Sequence, residues 1–294
     1  MPKSESTLTT FRQLQTEIEK DRQKEIQTHL LKVKKLRKYE AGTGPLNILV
    51  EGDSWFDYPL PAANPQDTIS WLRKRGNPKP AIMNLAQWGD VVTQMLGVKQ
   101  RERIIKFLKS KKHGPFDALL YSGGGNDVVG DQLCLWLKEI DPDDPDPVNA
   151  INRTRLEHIV GVVRAAYEDL IEIRNREAPE CVLFLHAYDF AMPDGRGVCR
   201  VGPWLKPSLD FRGWTNPSQA KEVVRDVLLR LDGELSQFEK TNRNVVYVRT
   251  QGTLTQTTAD WANELHPSKG RAGGFNKIAG RFLEALQKQF PNRI

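Results

Sequence analysis

The sequence predicts an α/β fold in which helices cover both faces of a mainly parallel sheet, and three observations carry that expectation. Apolar runs of strand length alternate with longer stretches of helical periodicity. Glycines and chemistry-bearing polar residues fall just after the apolar runs, at the strand ends where parallel sheets bind their ligands. The chain's 294 residues, 39% hydrophobic and 27% charged, suffice to bury one large core.

Residues 8–40 contain no Pro or Gly and place Leu8, Phe11, Leu14 and Ile18, then Ile26, Leu30, Val33 and Leu36, near one helical face, with Arg22 interrupting the stripe. Residues 1–40 hold ten Lys/Arg against six Asp/Glu, which leaves only +2 of the net +6 for the remaining 254 residues. Residues 1–44 are therefore expected to form a basic helical arm, closed by "AGTGP" (41–45), ahead of a main domain over 45–294. Its cluster "KVKKLRK" (32–38) could meet an anionic membrane surface, or the arm could self-associate through residues 8–40. The plainer account is a wet face on a packed helix. Nucleic acid is the least favoured partner, and it would show as a steep salt dependence.

Strands are expected at 46–52, 81–86, 116–123, 181–190 and 244–250, and helices at 66–75, 90–111, 150–177, 217–241 and 271–289. A Gly- and Pro-rich insertion, residues 191–217, separates the fourth strand from its helix and reads as a substrate-covering loop. No apolar run approaches the roughly 20 residues of a membrane span, and "MPKSESTLTT" lacks a signal-peptide layout. Cys134, Cys181 and Cys199 are widely spaced without a CxxC pair, so reduced thiols and a cytoplasmic location are expected.

Four segments meet at the predicted strand ends: "GDSW" with Ser54, "NLAQWGD" with Gly89, "SGGGND" with Asn126, and "DWANELHPS" with His266. In this order, each after a predicted strand, they resemble the SGNH, or GDSL-type, hydrolases, named for a serine, a glycine, an asparagine and a histidine in four blocks. The resemblance spans residue 46 to the C-terminus. It implies a three-layer α/β/α sandwich of flavodoxin-like type, a five-stranded sheet, and a serine esterase without a cofactor. It further implies an oxyanion hole built from the Ser54 and Gly89 N–H groups and the Asn126 amide.

The chemistry fits those residue types. A serine hydroxyl needs a base to become a nucleophile, and a neutral imidazole can take its proton. Preorganised donors then receive the oxyanion. The family usually places an aspartate three residues before the histidine, where this chain has Asn263. Asp260 is the favoured orienting group, with Glu264, Asn263 itself and a backbone carbonyl as the other options.

Each motif also has a plain structural account. Gly-Asp-Ser after a strand could be an ordinary capped turn. The run Gly123–Gly125 fits neither phosphate-loop pattern, and "DPDDPDP" (141–147) departs from a calcium loop, so no metal is expected. His186 reads as an interior residue.

Trp55, Trp88, Trp204 and Trp214 are candidate substrate walls for a sugar face or an acyl chain. Arg196, Arg200, Lys206 and Arg212 would favour an anionic substrate if they faced the site. Acyl lipids such as lysophospholipids and acetylated saccharides are the candidate esters. The rival function is a non-catalytic ligand-binding or assembly protein on the same fold.

Overall fold

The computed structural model describes residues 3–40, 42–58, 66–198 and 201–294; Cys199, Arg200 and the side chains of Leu8, Phe11 and Leu14 lie outside the described parts. In chain order the elements are α1 (Lys3–Leu36), β1 (Asn47–Gly52), α2 (Thr68–Arg75), β2 (Ala81–Asn84), α3 (Val92–Met95), α4 (Val98–Leu108), β3 (Ala118–Ser122), α5 (Gly125–Val128), α6 (Arg153–Glu177), β4 (Val182–Leu185), α7 (Lys206–Phe211), α8 (Pro217–Thr241), β5 (Val245–Tyr247) and α9 (Gly274–Gln289). The sheet is parallel throughout, in the order β2-β1-β3-β4-β5.

That order reverses at β1, so right-handed crossovers place α2 on one face and α4, α6 and α8 on the other. Packing agrees, since α4 meets α6, α6 meets α8, and α9 joins α2 on the opposite side. Both faces are covered, which is why Ile48, Leu49, Val50, Leu119, Leu120, Leu183 and Phe184 are all fully buried. The expected strands are all present but shorter: β2, β4 and β5 give up their last residues to the loops of the rim, and β1 and β3 mainly their first.

Local signals set the helix boundaries. Asn152 and Asn216 cap α6 and α8 through their side-chain oxygens, and Pro217 occupies the first turn of α8. The single helix expected over 90–111 is instead two, because the chain turns at Gly97, which opens α4. Within the 191–217 insertion, residues 206–211 form α7.

The arm is a docked helix. Its residues 22–37 lie along β2, an edge strand: the Glu25 carboxylate accepts the Asn84 N–H at 3.1 Å, and Arg22 donates to the Leu85 carbonyl at 3.2 Å. Edge backbone groups that would otherwise be open to another chain are thereby used. Farther along, buried His29 bonds Asn47 Oδ1 at 2.8 Å and lies 3.2 Å from His113 Nδ1, and burial pushes its pKa down to about 4. Arg37 then donates to the Lys111 and Lys112 carbonyls. The helix therefore runs from the C-terminal end of β2 to the N-terminal end of β1, and its basic cluster at 32–38 sits at the opposite end of the sheet from Ser54. No helix among the described residues is long and apolar enough to cross a membrane.

Candidate active site

The turn that ends β1 is built for display. A Cβ on Gly52 would stand 2.8 Å from the Ser122 carbonyl oxygen, so only glycine lets β1 and β3 close up here. The next residue, Asp53, organises the turn. Its carboxylate accepts the Trp55 N–H at 3.0 Å, the Ser122 hydroxyl at 2.9 Å and the Tyr188 hydroxyl at 2.5 Å. Burial pushes its pKa up to about 6, against the pull of those bonds. Ser54 is left at the apex with its N–H bonded to nothing among the described residues.

His266 approaches from the loop between β5 and α9. Its Nε2 lies 2.7 Å from Ser54 Oγ, and both residues are buried. Its Nδ1 lies 2.9 Å from Asn263 Oδ1. The same oxygen accepts the backbone N–H groups of Leu265 and His266 at 3.0 and 2.9 Å. Two backbone donors identify that atom as the amide oxygen, an acceptor only. Nδ1 must then carry the proton, and Nε2 is bare and able to accept from Ser54. Burial, with a smaller push from Lys269, lowers the His266 pKa to about 4, so the ring is neutral at pH 7.

The orienting residue is thus Asn263, and the favoured candidate, Asp260, is elsewhere. Its carboxylate takes the Lys277 ammonium at 2.6 Å and the Thr255 N–H and hydroxyl at 2.8 and 2.7 Å. Burial would raise its pKa, but these contacts outweigh it and the net shift is downward. Asp260 pins the loop to α9 and does not touch the imidazole. Glu264 does not orient the ring either: it is fully buried and accepts the N–H groups of Gly195, Trp204, Leu205 and Lys206. It clasps the 191–217 insertion onto the histidine loop, and Trp204 consequently lies edge-on to the His266 ring at 5.5 Å, opposite Tyr58 at 5.0 Å. Glu264→Ala is expected to cost about 3 kcal/mol or more by orphaning four N–H donors. The measurement is the urea midpoint together with limited proteolysis of the insertion, and an unchanged midpoint would refute the clasp.

Gly89 and Asn126 stand on the same rim. Gly89 has φ of +82°, open space where a Cβ would be, and an N–H with no acceptor among the described residues. Asn126, in the first turn of α5, donates one amide proton to the Asp90 carbonyl at 2.9 Å, which leaves its second proton for a ligand. Beside Ser54 a cavity of about 30 Å³ is lined by Asn126, Val129, Ala191, Leu228 and Trp261, among others. A larger open groove of about 1000 Å³ runs along α1, but it brings no nucleophile and base together.

The four candidate tryptophans divide. Trp204 borders His266, and Trp88 is exposed on the rim next to Gly89. Trp55 lines the cavity but is mostly core, with its indole N–H on the Leu265 carbonyl at 3.0 Å. Trp214 is a correction: it is buried with its N–H on the Lys138 carbonyl at 2.9 Å, so it anchors the insertion and is not among the residues lining the cavity beside Ser54. The described cations of the insertion are also engaged: Arg196 holds the Trp261 and Ala262 carbonyls, Lys206 pairs with Asp210, and Arg212 donates to the Cys134 carbonyl.

Among the described residues, no group of three or more His, Cys, Asp or Glu gathers where a metal could sit. His186 is interior, ringed by Phe56, Tyr188 and Phe282, and burial lowers its pKa to about 3.

Sequence reasoning passed over Tyr188. Its φ of +63° is strained for a non-glycine residue, and its hydroxyl donates to Asp53, which also accepts from Ser122, so three strand ends are tied together. The usable signal was its place in "HAYDF", immediately after a buried strand.

No protein-family model and no curated protein matches the chain. Solved structures do. A lipase from a goat rumen metagenome aligns over 82% of this chain and 97% of its own, with a TM-score of 0.52 at 13% identity. A family 3 carbohydrate esterase from Clostridium thermocellum aligns over 84% and 97%, with a TM-score of 0.48 at 15% identity. An acetylxylan esterase from Geobacillus stearothermophilus aligns over 85% and 96%, with a TM-score of 0.42 at 14% identity. At these identities the likeness is one of fold.

Proposed function

We propose that this chain, which has the fold of the SGNH-type hydrolases, is a serine hydrolase that cleaves carboxylic esters through an acyl-Ser54 intermediate. The observation that carries the reading is the buried 2.7 Å contact between Ser54 Oγ and a bare His266 Nε2, held in that tautomer by Asn263. In the first step Ser54 Oγ attacks the ester carbonyl while its proton passes to His266 Nε2. The oxyanion is received by the Ser54 and Gly89 N–H groups and by the free Asn126 amide proton. His266 then delivers the proton to the departing alcohol. In the second step a water gives its proton to the same nitrogen and attacks the acyl carbon, releasing the acid and restoring Ser54. No cofactor takes part.

The substrate is a small-molecule or lipid ester, with acetylated saccharides and acyl lipids as the candidate classes. The small cavity beside Ser54 supports a short acyl group, and Trp204 beside His266 and exposed Trp88 beside Gly89 would flank the alcohol portion. The alternative reading, a ligand-binding protein on a hydrolase fold, draws on Asn263, which cannot offset the charge of an imidazolium.

Intact mass after treatment with a fluorophosphonate separates the two. Adduct on the wild type and none on Ser54→Ala is expected. No adduct on the wild type would overturn the hydrolase reading.

A further inference from the structure

Arg22 stands in α1 at a helical position that the neighbouring Ile18, Ile26 and Val33 would fill with an apolar side chain. It is 91% buried, and its nearest carboxylate is Glu19 at 3.8 Å. Burying a guanidinium carries a desolvation cost that a well-packed apolar residue of similar size avoids. Packing of α1 on β2 therefore does not call for an arginine.

What the guanidinium touches is the loop that carries Gly89. Arg22 donates to the Leu85 carbonyl at 3.2 Å and to Gln87 Oε1 at 3.0 Å. Gln87 is also the loop's fixed point on the nucleophile strand: its N–H donates to the Gly52 carbonyl at 2.8 Å, and its carbonyl accepts the Asp90 N–H at 3.3 Å. Gly89 lies inside the turn this closes, with its left-handed φ and unbonded N–H. Asp90 in turn accepts the Asn126 amide on its carbonyl. The rest of this network comes from the α/β sandwich; among the described residues, Arg22 is the one side chain of α1 that hydrogen-bonds to the loop.

We infer that Arg22 is a positioning residue for the oxyanion hole, and that α1 is a working part of the catalytic apparatus. The inference rests on the hydrolase reading above. Transition-state donors must lie within a few tenths of an ångström of their target, and misplacement by about 1 Å costs on the order of 100-fold. Gln87 freed from Arg22 lets the Gly89 N–H drift.

The test compares Arg22→Met, Arg22→Lys and, as a control, Glu25→Gln, which removes the ion pair of α1 with Arg73 without touching the Gly89 loop. Readouts are the rate of fluorophosphonate labelling, kcat and KM for p-nitrophenyl acetate, and Tm. Arg22→Met is expected to keep its Tm and KM, within about twofold for KM, while kcat falls about 10- to 100-fold. Arg22→Lys keeps the charge but not the two-pronged contact, so it should lose about three- to tenfold. Glu25→Gln should retain kcat. Wild-type kcat in folded Arg22→Met, or equal losses in Arg22→Met and Glu25→Gln, would overturn the inference and leave the hydrolase reading intact. If Arg22→Met does not fold, Arg22→Lys decides: full kcat overturns the inference and partial loss supports it. Absence of wild-type labelling removes the hydrolase reading and this inference with it.

Discussion

His266→Ala is expected to lower kcat for an activated ester by about a million-fold, the scale on which serine hydrolases lose rate without their base. The expected residue of activity comes from the oxyanion donors, which the substitution leaves in place. Removing the ring opens a gap between Tyr58 and Trp204, which face it at 5.0 and 5.5 Å. Some loss of stability should accompany the loss of rate, so circular dichroism and a thermal midpoint must show that the variant is folded. Retention of activity within tenfold of wild type would mean that the 2.7 Å contact is not the proton path.

Asn263→Asp is expected to act in the opposite direction and to move the pH profile. In the wild type the Asn263 oxygen fixes the tautomer but supplies no negative charge, and burial holds the His266 pKa at about 4. With the neutral ring as the proposed base, the acid limb of kcat/KM should fall near that value rather than near 6.5. A carboxylate at 263 favours the imidazolium, which raises the pKa and carries the acid limb to higher pH by at least about one unit. The same charge stabilises the imidazolium that forms as Ser54 attacks, so the plateau rate should rise about tenfold or more. The stability sign follows from the same shift. A histidine depressed to about 4 when folded contributes stability that is complete above about 6.5 and drains away as pH falls through 4, so raising its pKa lessens the acid sensitivity of the fold. An acid limb that stays put in Asn263→Asp would show that residue 263 does not govern the ring.

The fold and the corners of the site were legible in the sequence for one reason. The apolar runs had to be strands buried on both faces, and Ser54, Gly89, Asn126 and His266 each follow a run or the last strand's loop. Chain order and strand polarity alone bring those four to one rim.

Contacts made across the fold were harder to see. Asp260 was the chemically natural partner for an imidazole, but the nearness of Lys277 depends on how α9 packs, which no local pattern reveals. Trp214 and Trp204 lie ten residues apart in one loop, yet one is an interior pin and the other borders His266. Glu264 was weighed only as an orienting acid, because its four amide partners come from a loop about 60 residues earlier. Arg22 looked like a flaw in an apolar stripe until β2 and its loop were in place to receive it.

Where α1 docks also imposes a timetable on synthesis. The helix leaves the ribosome before its seat, since Leu85, Gln87 and His113 follow their partners Arg22 and His29 by 63, 65 and 84 residues. At about 5–20 residues per second the helix waits several seconds for its seat, longer than most elementary folding events take. During that interval its apolar stripe is open to chaperones, and its seam with β2 can close well before α9, whose Asn276 meets Arg75 of α2 across 201 residues, has been made.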